Sequence, residues 1–327
     1  MLGDLLFGLV SIIIGVAASF GLFWLLNFLV NLLPSEIRKK ARVLAFITPA
    51  AMLITLVLLY PLVQTVIYSF MDQKSKEWVG LENYAELFGD ETFWGLLLNN
   101  FLWIAFVPAA SVALGLLVAQ LTNQVGPKRE KIFKSLIFMP MAISFVSAAT
   151  IWRFMYVDVA DGRPEIGLFN AIRAAFGQDS VQWLLTDDFR LNSFLLMIII
   201  VWLNVGFAMV LLSAAIKGVP EETIEAARVD GASAVQVFFR IIIPQITGTI
   251  MAVFVTILIG VMKIFDIVLA MTGGQFNTSV LGMAWYQEFF LNSQPGKAAA
   301  IVTILVILIA PLMWLQIRTV RAQEAQR

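Results

Sequence analysis

The sequence contains no cysteine and no histidine. Without cysteine there is no disulfide framework, no thiol nucleophile and no thiolate metal site. Without histidine the commonest general base and metal ligand is missing. Metal or acid–base chemistry would rest on carboxylates or lysine alone, so no catalytic residue and no metal site is assigned. Charge is scarce as well. Only 13% of the 327 residues are charged, against about 25% in an average soluble domain. Lys+Arg and Asp+Glu are equal at 22 each, so no basic excess points to nucleic acid as a partner.

Apolar residues are in excess, at 60% of the chain, with a mean hydropathy of +0.87. A soluble core does not absorb that excess, because cores stop growing beyond about 250–300 residues. A lipid bilayer does. Seven long apolar stretches run roughly over 5–33, 43–70, 93–122, 132–157, 191–216, 246–271 and 298–317. Each is near or above the ~20 residues that a spanning helix needs. Runs such as Phe194 to Val201 and Ile301 to Leu312 have helix length. The short alternating segments of a membrane β-barrel are not seen. The fold class is therefore all-α integral membrane, a polytopic bundle of about seven transmembrane helices. Internal prolines such as Pro61 and Pro108 fit kinks tolerated between packed membrane helices. The first stretch is too long for a signal peptide, and only Asp4 precedes it, not a basic segment. It reads as an uncleaved helix with its N-terminus outside.

Basic residues orient the spans. One set of connections carries Arg38, Lys39, Lys40 and Arg42, then Lys128, Arg129, Lys131 and Lys134, then Lys217, Arg228 and Arg240, then Arg318, Arg321 and Arg327. The alternate set carries about half as many: Lys74 and Lys76, then Arg153, Arg163, Arg173 and Arg190, then Lys297. With seven spans this predicts the N-terminus outside and the C-terminus inside. The outer segment 158–190 holds the turn sequence Asp161-Gly162-Arg163-Pro164, and it is expected to form a small external cap.

The most informative stretch lies in the third inner loop and runs from Gly218 to Ser233 as GVPEETIEAARVDGAS. It reads as a short helix, a turn and a second short helix. Pro220 suits a first helical turn, and Glu221 and Glu222 suit the positive end of the helix dipole. Ala226 and Ala227 are small enough to allow close approach. Gly231 after Asp230 reads as a helix C-cap or sharp turn. Phe238, Phe239 and Ile241 to Ile243 then lead to Pro244 just before the next span. Two readings are open from the residues alone: a helix–turn–helix that ties two spans together, or a tip built to dock into a partner's groove.

The pattern Glu225-Ala226-Ala227, Gly231, Ile241, Ile243 and Pro244 resembles the EAA loop of ABC-importer permeases. That family pattern ends Ile-x-Leu-Pro, and Ile243 in place of Leu is its one departure. Val219-Pro220-Glu221-Glu222, Asp230-Gly231-Ala232 and Phe265-Asp266-Ile267-Val268 leading to Thr272-Gly273-Gly274 are similar to the carbohydrate-uptake branch, of the maltose or α-glucoside type. Gln275-Phe276 departs from the Gly-Pro that often follows in that branch. The resemblance implies a type I importer permease. Residues 43–320 would form its six-helix core with a cytoplasmic coupling loop at 217–245. Residues 1–42 would add an extra N-terminal transmembrane helix and basic inner loop, and 321–327 a cytoplasmic tail. It implies that Glu225, Ala226, Ala227, Asp230, Gly231 and Pro244 belong to the ATPase-coupling loop. The implied partners are a second homologous permease subunit, two copies of a cytoplasmic ABC ATPase and an extracytoplasmic solute-binding protein. No cofactor would be bound by this chain. ATP and Mg would be used by the ATPase subunit, and consistently the chain has no Walker-type Gly-Lys-Ser/Thr sequence.

Ionisable and polar groups inside spans are the candidates for the substrate pathway. Lys263 and Asp266 stand three apart in the sixth span, where a shared helix face would let them pair. Either they neutralise each other or they meet substrate. Asn204, with Trp202 and Phe207, lies mid-span in the fifth helix. An amide beside aromatic faces suits a sugar, and equally suits an interhelical hydrogen bond. Trp152 and Tyr156 read as interface anchors. A non-sugar solute such as glycerol phosphate, a polyamine or an amino acid is the alternative within transport. A membrane-embedded enzyme would need two facing acidic or Ser/Lys groups within the bilayer, and only Asp266 with Lys263 offers itself. A channel would need no ATPase.

Overall fold

A computed structural model describes residues 2–159 and 166–324. The turn sequence Asp161 to Pro164 and residues 325–327 of the tail lie outside the described residues. Among those described, six helices are long and apolar enough to cross a bilayer, or seven if one bent pair counts as a single span. Strand geometry is confined to an isolated antiparallel bridge between Met71 and Trp78. The chain divides into two compact units, Met1–Ile67 and Tyr68–Arg327.

The first unit holds α1 (Leu2–Asn31) and nearly all of α2 (Ser35–Tyr68). Phe23 stacks on Phe46 with ring centroids 5.7 Å apart, and Arg42 donates to Asn31 Oδ1 at 3.0 Å. The basic segment 34–42 is expected as a connection, but it is already helical from Ser35. Lys and Arg are good helix formers, so the helix starts ahead of its apolar stretch. A wide π turn at Thr55–Leu59 precedes Pro61. It accommodates the missing N–H of a proline inside a helix. Side chains such as Ile12, Phe20, Leu53 and Leu56 are exposed, an apolar surface suited to lipid.

The second unit is built on α4 (Glu91–Asn123) and α8 (Asp188–Lys217). Their close approach follows from small residues. A Cβ on Gly115 would lie 2.5 Å from the Ala208 Cβ. Trp103, Leu196, Met197, Ile199, Met209 and Leu212 are fully buried around this seam. The N-cap of α4 is Asp90, whose carboxylate accepts from the Thr92 N–H at 2.8 Å and also from its hydroxyl. These two bonds hold the Asp90 carboxyl below the usual carboxylate range. The short α3 (Glu82–Gly89) precedes it.

The expected straight span over 132–157 is two helices, α5 (Pro127–Ala142) and α6 (Phe145–Tyr156), bent by 104°. Pro140 and the 3₁₀ turn Met139–Ala142 end the first helix, and Ser144 caps the second. The segment expected as a cap contains α7 (Leu168–Ala175), organised on the buried Asn170. Its amide exchanges hydrogen bonds with the Val181 backbone and accepts from Trp183 Nε1 at 2.9 Å. Beyond α8 come α9 (Glu221–Val229), α10 (Ala234–Met262), α11 (Asp266–Met271), α12 (Leu281–Tyr286) and α13 (Pro295–Glu324).

Two expectations are corrected here. The sixth apolar stretch, 246–271, is not one helix: α10 ends at Met262, and Phe265 has φ −150 and ψ −55. The second short helix of the inner loop is not separate either. It is the first turn of α10, and Pro244 lies inside that continuous helix, after a π turn at Phe238–Ile242. The reason is the one given for α2: a π turn ahead of a proline lets the helix run through it.

Candidate functional site

The loop 217–245 is made from local signals. Pro220 stands at the N-cap of α9 rather than within it, with Glu221 and Glu222 in the first turn. The helix ends in a Schellman motif. Gly231 N–H donates to Arg228 C=O and Ala232 N–H to Ala227 C=O, each at 3.0 Å. Gly231 has φ +83, and nothing lies within 4 Å of the position its Cβ would take. Glycine is needed there for the backbone and not for space. Ser233 and Gln236 then form a reciprocal capping box at the start of α10, at 3.3 and 2.8 Å.

The same helix has two faces. Ile224 and Ala227 pack toward the core together with Ala232 and Phe238. Glu225, Ala226, Asp230, Gly231 and Pro244 are exposed. Val229, one turn from Glu225 and Ala226, is 87% exposed. No residue of α9 is buried. A rim of acidic and small apolar groups is thus presented on a helix closed by a Schellman motif at its C-terminal end.

The second feature is a cleft in the membrane region, formed where two spans break. A cavity of about 450 Å³ is lined by Met141, Ser144, Phe145, Leu203, Asn204 and Asp266. One of about 210 Å³ shares Met141, Phe145 and Asn204 and adds Phe207, Thr256 and Gly260. A third, of about 280 Å³, is lined by Lys263, Phe265, Asp266 and Trp285. Non-helical backbone at membrane depth is tolerated where it lines such a cavity. Both breaks, at 143–144 and 263–265, do so.

The candidates sort accordingly. Asn204 and Phe207, one turn apart on α8, both line the cleft. Asn204 Nδ2 donates to Ile200 C=O at 2.8 Å, and its Oδ1 accepts no hydrogen bond among the described residues. Trp202 is not with them. Two positions along a helix turn it away, and it packs edge-on against Trp152 at 5.8 Å. Tyr156 is a core residue rather than an interface anchor, 3% exposed with its hydroxyl donating to Leu195 C=O at 3.1 Å, and Trp152 is half-buried against it. Lys263 and Asp266 line one cavity but do not share a helix face. The break separates them, and no ion pair joins them. Asp266 also faces the Asn204 cavity.

A polar clamp joins the N-terminal parts of α4 and α8 to the loop after α11. Asn99 Nδ2 donates to the carbonyls of Asn277 and Ser279 at 2.6 and 2.8 Å. Asn192 donates to Phe276 C=O at 2.7 Å, Arg190 to Asn99 Oδ1 at 2.5 Å, and Asn100 Oδ1 accepts from Leu281 N–H at 2.8 Å. The signal was available as two adjacent asparagines in an apolar span. The clamped loop carries positive φ at Gly273, Gly274, Phe276 and Asn277. A proline at 276 could not adopt φ +55, so the departure from Gly-Pro accompanies a different backbone.

An all-helical bundle with a broken-span cleft and an exposed loop helix defines a membrane translocation subunit. The chain belongs to the family of binding-protein-dependent transport system inner membrane components, whose model matches residues 111–321. It is 42% identical to the alpha-glucoside transport system permease protein AglF of Rhizobium meliloti, over 96% of this chain and 97% of that one. It is 44% identical to the osmoprotective compounds uptake permease protein GgtC of Synechocystis, over 86% of this chain and 100% of that one. A crystal structure of a bacterial alginate ABC transporter in complex with an alginate pentasaccharide-bound periplasmic protein contains a chain of similar fold. Its TM-score is 0.73 at 20% identity, covering 86% of this chain and 94% of that chain. The protein is thus a multi-pass inner-membrane permease of an ABC importer. It is a transport subunit, and ATP hydrolysis falls to a separate ATPase.

Proposed function

We propose that this permease forms half of the translocation pathway for a neutral sugar, of the α-glucoside class, by alternating access. Residues 217–245 act as the handle that a cytoplasmic ATPase moves, with Glu225, Ala226, Ala227, Asp230 and Gly231 at the contact and Pro244 at the base. The rocking element is the six-helix core 43–320. Residues 1–42 add a helix to it, and 321–327 form a cytoplasmic tail. The N-terminus lies outside and the C-terminus inside. The working assembly holds a second homologous permease, two ATPase copies using ATP and Mg, and an external solute-binding protein.

The observation that carries this reading is the pairing of the exposed face of α9 with a cleft opened by two broken spans. Broken helices around a midplane cavity are how transporters bring polar groups to a substrate. Asn204 and Asp266 supply hydrogen-bond partners for hydroxyl groups, and Phe207 and Phe145 supply apolar faces for the sugar ring. Lys263 is the lone cation on the cavity walls described above, which argues against a phosphorylated solute. The name of the relative from Rhizobium meliloti supports the α-glucoside class.

The test is a panel of labelled sugars offered to the cognate binding protein, followed by uptake in proteoliposomes holding the whole importer. Binding and ATP-dependent uptake of an α-glucoside is expected. Saturable uptake of amino acids or polyamines, with no sugar bound, would contradict it.

A further inference from the structure

The inner ends of three helices meet at a polar knot that plays no part in the loop or the cleft as described so far. Glu130 on α5 receives Lys134 Nζ and, from the last residue of α8, Lys217 Nζ, each at 2.5 Å. Lys134 also donates to Asn123 Oδ1 at 3.2 Å and to the Ser213 hydroxyl. Ser213 in turn donates to Asn123 Oδ1 at 2.7 Å. The Glu130 side chain is 14% exposed. An isolated surface pair contributes little, but this carboxylate is largely covered and binds cations from two helices.

Position gives the knot its meaning. Lys217 is followed directly by Gly218, Val219, Pro220 and α9, so it is the stem of the loop. At its other end α5 stops at the break that lines the cleft with Met141 and Ser144. There α5 touches α8 again: a Cβ on Gly206 would lie 2.5 Å from Ile137 C=O. The two contacts are about 16 Å apart along α8 and about 10 Å apart along α5 at 1.5 Å per residue. The inner halves of α5 and α8 are therefore joined at both ends, with the handle at one end and the cleft at the other.

We propose that Glu130 is a positioning residue for energy coupling, which locks α5 to the loop stem so that loop movement reaches the break at Ser144. This rests on the reading of 217–245 as the ATPase handle. Without Glu130 the loop still binds its partner, but α8 slides against α5 and the cleft does not follow.

The absence of native cysteine provides the test. Two single-cysteine reporters, Val229→Cys at the loop and Ser144→Cys at the cleft, are made in the whole importer. Each is labelled with a water-soluble maleimide, with and without ATP trapped on the ATPase. Protection of Val229→Cys by the ATPase is expected with Glu130 or with Glu130→Gln. Trapped ATP is expected to change the Ser144→Cys rate at least about fivefold, the low end of typical coupling energies. Glu130→Gln should abolish that change, Glu130→Asp should restore it, and Lys217→Gln, on an exposed side chain that threatens no fold, should weaken it. A Ser144→Cys rate that ignores ATP in the parent, or responds equally in Glu130→Gln, overturns the lock. Val229→Cys left unprotected overturns the handle reading instead.

Discussion

Between residues 217 and 245 the turns and helix ends are set by neighbours in sequence. A proline opens α9, acidic residues fill its first turn, a left-handed glycine closes it and a serine–glutamine box starts α10. The cleft is assembled the other way. Met141 and Ser144, Asn204 and Phe207, Thr256 and Gly260, and Asp266 come from four separate helical elements and the breaks between them. The loop's turns form from adjacent residues, whereas the cleft exists only as a consequence of packing. A part that is pushed by a partner must be stiff in itself. A part that opens and closes must depend on how its walls are arranged.

The largest effect should come from the stiffness of the loop. Gly231→Glu puts a side chain at φ +83, where L-residues other than asparagine are strained by about 1–2 kcal/mol, and a charge at the contact. It should abolish uptake while the permease still reaches the membrane. Gly231→Asn, which tolerates that backbone, should keep most of the transport. If both behave alike in a vesicle uptake assay, backbone geometry is not what the loop supplies.

Smaller effects separate the walls of the cleft from its frame. Asn99→Leu removes two hydrogen bonds to the 277–279 loop and leaves Arg190 without its amide acceptor. A loss of about 3 kcal/mol of stability is expected, read by thermal unfolding and by faster hydrogen exchange over 272–280. Asn204→Leu should raise the KM for sugar roughly tenfold, the worth of one hydrogen bond of about 1.4 kcal/mol, with little change in ATPase binding. Trp202→Phe, on the other face of α8, should leave KM alone. The reverse pattern would move the pathway to the Trp152 cluster. Smallest of all, Ser233→Ala should cost about 1 kcal/mol by loss of the cap, detectable as exchange at the first turn of α10.

The same contrast explains how much was legible in the sequence. Helix class, the positions of the spans and the loop's glycine turn follow from hydropathy and local residue chemistry. The 104° bend after Ala142 and the early end of α10 at Met262 do not. Apolar residues continue on both sides of each break, so hydropathy alone reads a straight span. The spacing of Lys263 and Asp266 predicts a shared face for the same reason, but helical spacing has no force across Phe265. Asn204 and Phe207 share a face at helical spacing, whereas Trp202 does not. The knot at Glu130 needed three helix ends brought together, which spacing in one segment cannot supply.

The most direct measurement is ATP-driven uptake by the reconstituted importer carrying Glu225→Lys, with ATP hydrolysis followed in the same vesicles. Charge reversal on the exposed face of α9 should leave the subunit inserted and the sugar bound by its external receptor, and should separate hydrolysis from transport. Uptake and hydrolysis still coupled at the parent ratio would show that the loop is not where the engine grips.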